Sequence, residues 1–69
     1  MTRVVLLSQD EDGIWIAEVP SLPGCNSQGD TRDEAIANIQ NAIAGYIEVL
    51  QDAGQPVPGE THEVVTLIA

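Results

Sequence analysis

Residues 31–54 read TRDEAIANIQNAIAGYIEVLQDAG, and this stretch decides the fold. Thr31 followed three residues later by Glu34 is a capping box: each side chain can accept a backbone N–H that the first helical turn leaves without a partner. Asp33 and Glu34 also lie at the positive end of the helix dipole. Ile36, Ile39, Ile43, Ile47 and Leu50 then recur at spacings of three, four, four and three, which puts them on one stripe of an α-helix, flanked by Ala35, Ala42 and Tyr46. Gly54 is a natural C-terminal cap, and Pro56 and Pro58 forbid continuation.

Toward the N-terminus the period changes from the helical repeat to short β-rich runs. Arg3–Gln9 (RVVLLSQ) is ended by the polar turn Asp10-Glu11-Asp12-Gly13, and Ile14–Val19 (IWIAEV) follows as the return strand of a hairpin. Pro20-Ser21-Leu22-Pro23-Gly24 is a rigid connection, because two prolines fix φ while Gly24 permits a sharp turn. Residues 25–29 give a short third strand, and Thr61–Ile68 (THEVVTLI) a last one beyond the helix. The expected fold class is therefore α+β, in the order β-β-β-α-β, with one helix packed on a small mixed sheet. The helix joins the third strand to the fourth by a right-handed crossover. Residues 1–69 form a single domain with no repeat and no linker.

One helix covers one face of a sheet. Val5 and Leu7 alternate with Val4 and Leu6; Trp15, Ala17 and Val19 with Ile14 and Ile16; Val65 and Leu67 with Val64 and Ile68. A sheet wet on one side alternates apolar with polar, so strands apolar on both sides imply a second covered surface. Length argues the same way. A chain of 69 residues draws only about 3–5 kcal/mol of net stability from one core and usually needs a staple. A lone cysteine, Cys25, closes no intrachain disulfide, and with the lone His62 it falls short of the four ligands of a structural zinc site. Association with a second subunit, in a dimer or tetramer, or with a partner protein is the staple left. The unpaired thiol suits a reducing cytoplasm.

Eleven acidic residues stand against Arg3 and Arg32, a formal net charge of −9. Phosphate backbones are held by Lys and Arg, so direct nucleic-acid binding is not expected; a basic protein would be attracted. No run approaches the ~20 apolar residues of a membrane span, and no signal peptide is visible. A nucleophilic Cys25 with His62 as base would need a neighbouring cation or helix N-terminus to lower the thiol pKa; Cys25 follows a Pro-Gly turn, where small apolar packing is the expected role. Asp10, Glu11 and Asp12 in the turn, and Asp30, Asp33 and Glu34 at the helix start, read as solvated charges, leaving only Glu18 and Glu63 in strand interiors. No catalytic residue, metal or cofactor is expected.

The residues Asp12-Gly13-Ile14-Trp15-Ile16-Ala17-Glu18-Val19-Pro20, then Leu22-Pro23-Gly24-Cys25, then Ser27-Gln28-Gly29-Asp30-Thr31 resemble the signature of HicB-type antitoxins. The likeness continues through Glu34-Ala35, Asn38-Ile39, Ala42-Ile43 and Tyr46-Ile47-Glu48 to Gly54-Gln55-Pro56-Val57-Pro58, so it spans residues 3–67. It implies a degenerate RNase H-like fold and the role of masking a HicA-type toxin, a small basic mRNA-cleaving protein. The expected partner-binding residues are Trp15, Glu18, Pro23, Gly24, Cys25, Asn26 and Ser27. Ser21 stands where the family often has Asp. Many members carry a C-terminal DNA-binding domain; this sequence stops at Ala69, so neither that domain nor operator binding is expected. The other reading is an orphan homo-oligomeric domain with a structural or ligand-binding role and no toxin.

Overall fold

The computed structural model of the chain describes residues 2–68. Three short strands, β1 (Leu6–Gln9), β2 (Trp15–Glu18) and β3 (Asn26–Gly29), form an antiparallel sheet in the order β1-β2-β3. The helix α1 (Arg32–Asp52) follows. Leu7, Ala17 and Ser27 align across the sheet, as do Leu6, Glu18 and Asn26.

The hairpin is closed where the sequence places it. Asp10 Oδ1 accepts the N–H groups of Asp12 and Ile14, both at 2.9 Å, and Gly13 takes a φ of 84° that an L side chain rarely adopts. The helix is capped at both ends. Thr31 Oγ1 accepts the Glu34 N–H at 3.1 Å, while the Glu34 carboxylate reaches one residue further back than the ideal box, to Asp30 N–H at 3.4 Å. At the other end Gly54, with φ 68°, donates to Gln51 C=O and Gln55 to Leu50 C=O, the paired bonds of a Schellman cap.

The pleat decides which face the helix takes. Ala17, Val19, Leu22, Cys25 and Ile39 form the buried core, with Val5, Leu7, Ala42, Ile43 and Tyr46 packed around it. The odd-numbered residues of the first two strands therefore face α1. The helix lies on β3 and, less fully, on β2, and does not reach β1. Trp15 falls on the helix side by parity but is only half-buried and outside the core. The opposite face carries Leu6, Ile14 and Ile16 among Ser8, Glu18, Asn26 and Gln28. It is less apolar than the first two strands alone suggest, because β3 adds only polar residues to it.

The fourth strand expected over Thr61–Ile68 is absent from the sheet, and the sheet is purely antiparallel rather than mixed. Local hydrogen bonds explain the difference. The segment after α1 returns to the start of the chain, where Arg3 Nη2 donates to Pro58 C=O at 2.6 Å and Val4 N–H to Glu60 Oε2 at 2.6 Å. His62 N–H then folds back onto Glu60 Oε1 at 2.8 Å, and Thr61 Oγ1 meets His62 Nδ1 at 3.0 Å. Side-chain bonds of this kind compete with a ladder, and the residues beyond leave the body exposed.

The two amide donors, first Val4 and then His62, hold the Glu60 carboxyl below its ordinary range. A depressed carboxyl contributes stability above its unfolded pKa and loses it as pH falls through the lower folded value. The latch at Val4 is therefore expected to be fully formed at neutral pH and to open only in acid. The Val4 amide resonance should titrate with a midpoint below the usual glutamate range, and Glu60→Gln should abolish that titration.

Candidate functional site

The connection Pro20–Cys25 is a packed element rather than a surface loop. Leu22 N–H donates to Val19 C=O at 3.1 Å, Cys25 N–H to Leu22 C=O at 3.0 Å, and Val19 N–H to Cys25 C=O at 3.0 Å. These bonds curl the chain so that Leu22 is wholly buried and plugs the core beneath α1. Leu22 is the core residue that sequence reasoning missed; it lies between two prolines, where no period signals burial. Arg3 and Tyr46 pin the loop. Arg3 Nη1 donates to the buried Ser21 Oγ at 2.9 Å, and Tyr46 Oη donates to Pro23 C=O at 2.9 Å. Tyr46→Phe keeps the ring and removes one bond, so it is expected to cost about 0.5–1.5 kcal/mol and to raise amide exchange at Gly24 and Cys25 above that at Ile39.

This pinned corner separates two depressions. One, of about 480 Å³, lies between Gly24-Cys25-Asn26 and the helix face formed by Ala42, Gly45, Tyr46, Val49 and Leu50. A smaller one, of about 260 Å³, opens on the other side of the corner among Leu6, Glu18, Val19, Pro20 and Pro23. Of the expected partner-binding residues, Glu18, Pro23, Gly24, Cys25 and Asn26 come together around the smaller depression. Ser27 turns to the helix side opposite Ala17. Trp15 is three residues from Glu18, roughly 10 Å along the strand, and on the other face of the sheet. The seven residues do not form one patch.

Cys25 forms the wall between the two depressions but is buried itself. Burial pushes its thiol up, with the Arg3 charge pulling weakly the other way. That is the reverse of what a nucleophilic thiolate requires. His62 sits on the exposed C-terminal segment, its Nδ1 3.8 Å from Glu60 Oε1.

The register also gathers charge. The turn Asp10-Glu11-Asp12 and the helix start with Asp30, Asp33 and Glu34 lie at the same end of the sheet, because Trp15 pairs with both Gln9 and Gly29. The pinned corner lies at the opposite end, where Glu18 pairs with Asn26. Trp15 thus belongs with the acidic end. Among the described residues no three His, Cys, Asp or Glu side chains are grouped to hold a metal ion, and no helix is long and apolar enough to cross a membrane.

The comparisons with known proteins now decide the family. A family model described as a HicB-like antitoxin of bacterial toxin–antitoxin systems matches residues 3–69. The chain belongs to the HicB-like antitoxin family. A UPF0150 protein of Thermoplasma acidophilum is 42% identical over 69 residues, covering 100% of both chains. A UPF0150 protein of Synechocystis is 55% identical over 56 residues, 81% of this chain and 71% of its own. One from Archaeoglobus fulgidus is 41% identical over 68 residues, 96% of this chain and 99% of its own. No solved structure matches. Membership in an antitoxin family suggests a non-catalytic role and implies a toxin partner; the Pro20–Cys25 corner and the capped helix are the parts of the family resemblance that the fold packs together, through Leu22, Cys25 and Ile39 and the Tyr46–Pro23 bond.

Proposed function

We propose that this HicB-like chain is a cytoplasmic antitoxin that binds and masks a small, basic, mRNA-cleaving toxin of the HicA type, and that it does so without catalysis and without touching nucleic acid. The family match over residues 3–69 carries this reading. The formal charge of −9 supports it, since a basic ribonuclease surface is attracted to what repels RNA. The contact surface in this reading is the rim of the pinned corner, where Glu18, Pro23, Gly24, Cys25 and Asn26 converge; Trp15 and Ser27, on the helix side of the sheet, lie outside it. Homo-oligomers, dimers or tetramers, are part of it, because a chain this short gains a larger buried surface by assembling. The three-stranded meander followed by a helix fits the first four elements of a degenerate RNase H-like fold.

Co-expression tests the proposal. A short basic reading frame beside this one, expressed alone, is expected to arrest growth and cleave mRNA; expressed with this chain, it should co-purify with it and lose its cleavage activity. A neighbour that is neither toxic nor retained on this chain would overturn the assignment. The second reading, a self-assembling domain with no toxin, is favoured by one observation, the exposed apolar C-terminal segment, and predicts assembly without any co-purifying basic protein.

A further inference from the structure

The C-terminal segment and the sheet have complementary defects. In the segment, Val64, Val65 and Leu67 are 69, 66 and 80% exposed, and Ile68 is fully exposed. A run of four large apolar side chains standing in water has β-strand composition, yet it pairs with no strand of its own chain.

The sheet has two edges, and they are not equivalent. Asp10 N–H donates to Ile14 C=O across the hairpin. The antiparallel ladder alternates from that pair, so Ser8 and Leu6 bond inward to β2, while Leu7 and Gln9 turn their N–H and C=O groups outward. Among the described residues, nothing meets those outward groups. On the far edge the same alternation, started by Val19 N–H to Cys25 C=O, turns Asn26 and Gln28 outward. There α1 covers the edge, and Asn38 Nδ2 donates to Gln28 C=O at 2.8 Å. One edge is therefore blunted by the helix and the other is an open template of the kind that recruits a strand. The open edge is also the side of the sheet that α1 does not reach, so Val5 and Leu7 remain half-exposed there.

We infer that residues 63–68 of one copy add as a strand to the open β1 edge of a second copy, reciprocally, and that this exchange builds a dimer. Within one chain the bonds among Glu60, Thr61 and His62 turn the segment away from its own β1 edge, and the edge matches the same segment of another chain, which makes a second copy the occupant. The anchor is already in place: the Glu60 and Pro58 contacts to Val4 and Arg3 hold the root of the segment at the open end of β1, while Pro56, Pro58 and Gly59 stiffen and redirect the chain before it. Exchange of an identical element is a low-cost route to a two-fold dimer. Because side chains alternate, Val65 and Leu67 go to one face and Val64 and Ile68 to the other. One pair extends the apolar surface at Val5 and Leu7, and the other lies beside Leu6. The inference deepens the self-association part of the reading above and rests on it; it is independent of toxin binding.

The test uses the full chain and two variants. Val65→Asp/Leu67→Asp spoils the donor. Gln9→Pro spoils the acceptor: it removes an outward N–H and leaves the bonds from β1 to β2 intact. Light scattering and sedimentation of the unmodified chain are expected to give a dimer. Each variant alone should raise the dimer dissociation constant about a hundredfold or more, the donor variant by losing two buried apolar side chains per tail and the acceptor variant by blocking a ladder bond and clashing with the added strand on both edges. Far-UV circular dichroism should stay unchanged. Mixing the two variants should restore a heterodimer, since one intact tail then meets one intact edge. A monomeric unmodified chain would overturn both the exchange and self-association. A dimer indifferent to both variants, or variants that fail to complement on mixing, would overturn the exchange alone.

Discussion

Ile39→Ala is expected to destabilise the domain by about 2–5 kcal/mol, enough to leave the isolated chain largely unfolded at room temperature. Leu22 and Ile39 are the two largest side chains removed completely from water, and Ile39 is 1% exposed. It lies in the first half of the helix stripe and belongs to the buried cluster with Ala17, Val19, Leu22 and Cys25. The surrounding residues are small or held by backbone bonds, so the site collapses little when the side chain is shortened, and a cavity term adds to the lost transfer energy. Since a single core of this size supplies only about 3–5 kcal/mol, one truncation consumes most of it. Urea unfolding followed through the fluorescence of the lone Trp15 measures the loss. Val49→Ala, on the same helix but 68% exposed, should change the midpoint by no more than about 0.5 kcal/mol. If the two substitutions cost the same, the core is not where the burial pattern puts it.

The helix was legible from sequence because everything that defines it is local: cap, stripe and terminator all lie within residues 31–54, and the structure starts and ends it as read. The hairpin was legible for the same reason. The face taken by the helix was not, because Val4–Leu7 and Ile14–Val19 are apolar on both sides; the choice is made by β3 and by Leu22. Leu22 is buried by three backbone bonds inside a Pro-rich turn, a tertiary cause that leaves no period. The C-terminal segment shows the opposite failure. Its composition is that of a strand, but a strand exists only when an edge accepts it, and Glu60, Thr61 and His62 bond among themselves where pairing would begin. Composition announced the acidity, yet only the register places Asp10, Glu11, Asp12, Asp30, Asp33 and Glu34 at one end of the sheet, away from the corner that holds Glu18, Pro23 and Asn26. In the proposed reading the acidic end steers a basic partner by long-range charge, while the corner at the opposite end, with the single carboxylate of Glu18, adds mainly shape.

Gly29→Ala is the second substitution with a large expected effect, and its cause is backbone against backbone. Gly29 ends β3 and is buried where the chain turns into α1. A Cβ built there meets Ala35 N at 2.6 Å and Glu34 C at 2.9 Å. No flexible side chain can move aside to relieve those contacts, so the first turn of α1 must lift from the sheet. Overpacking of a tight core typically costs about 1–3 kcal/mol, and here the shift also strains the Thr31–Glu34 cap. The expected loss lies at or above the top of that range, and Gly29→Val should exceed it. Gly45→Ala is the opposite case within the same helix. Its added Cβ has nothing within 4 Å, and alanine is favoured over glycine in a helix interior by roughly 1 kcal/mol, so this variant should unfold at higher urea. Gly45 also lines the larger groove beside Cys25 and Tyr46, which separates stability from recognition: a Gly45→Ala chain that is more stable yet binds its toxin more weakly would place the contact in that groove, whereas unchanged binding would leave the smaller depression at Glu18 and Pro23 as the contact surface.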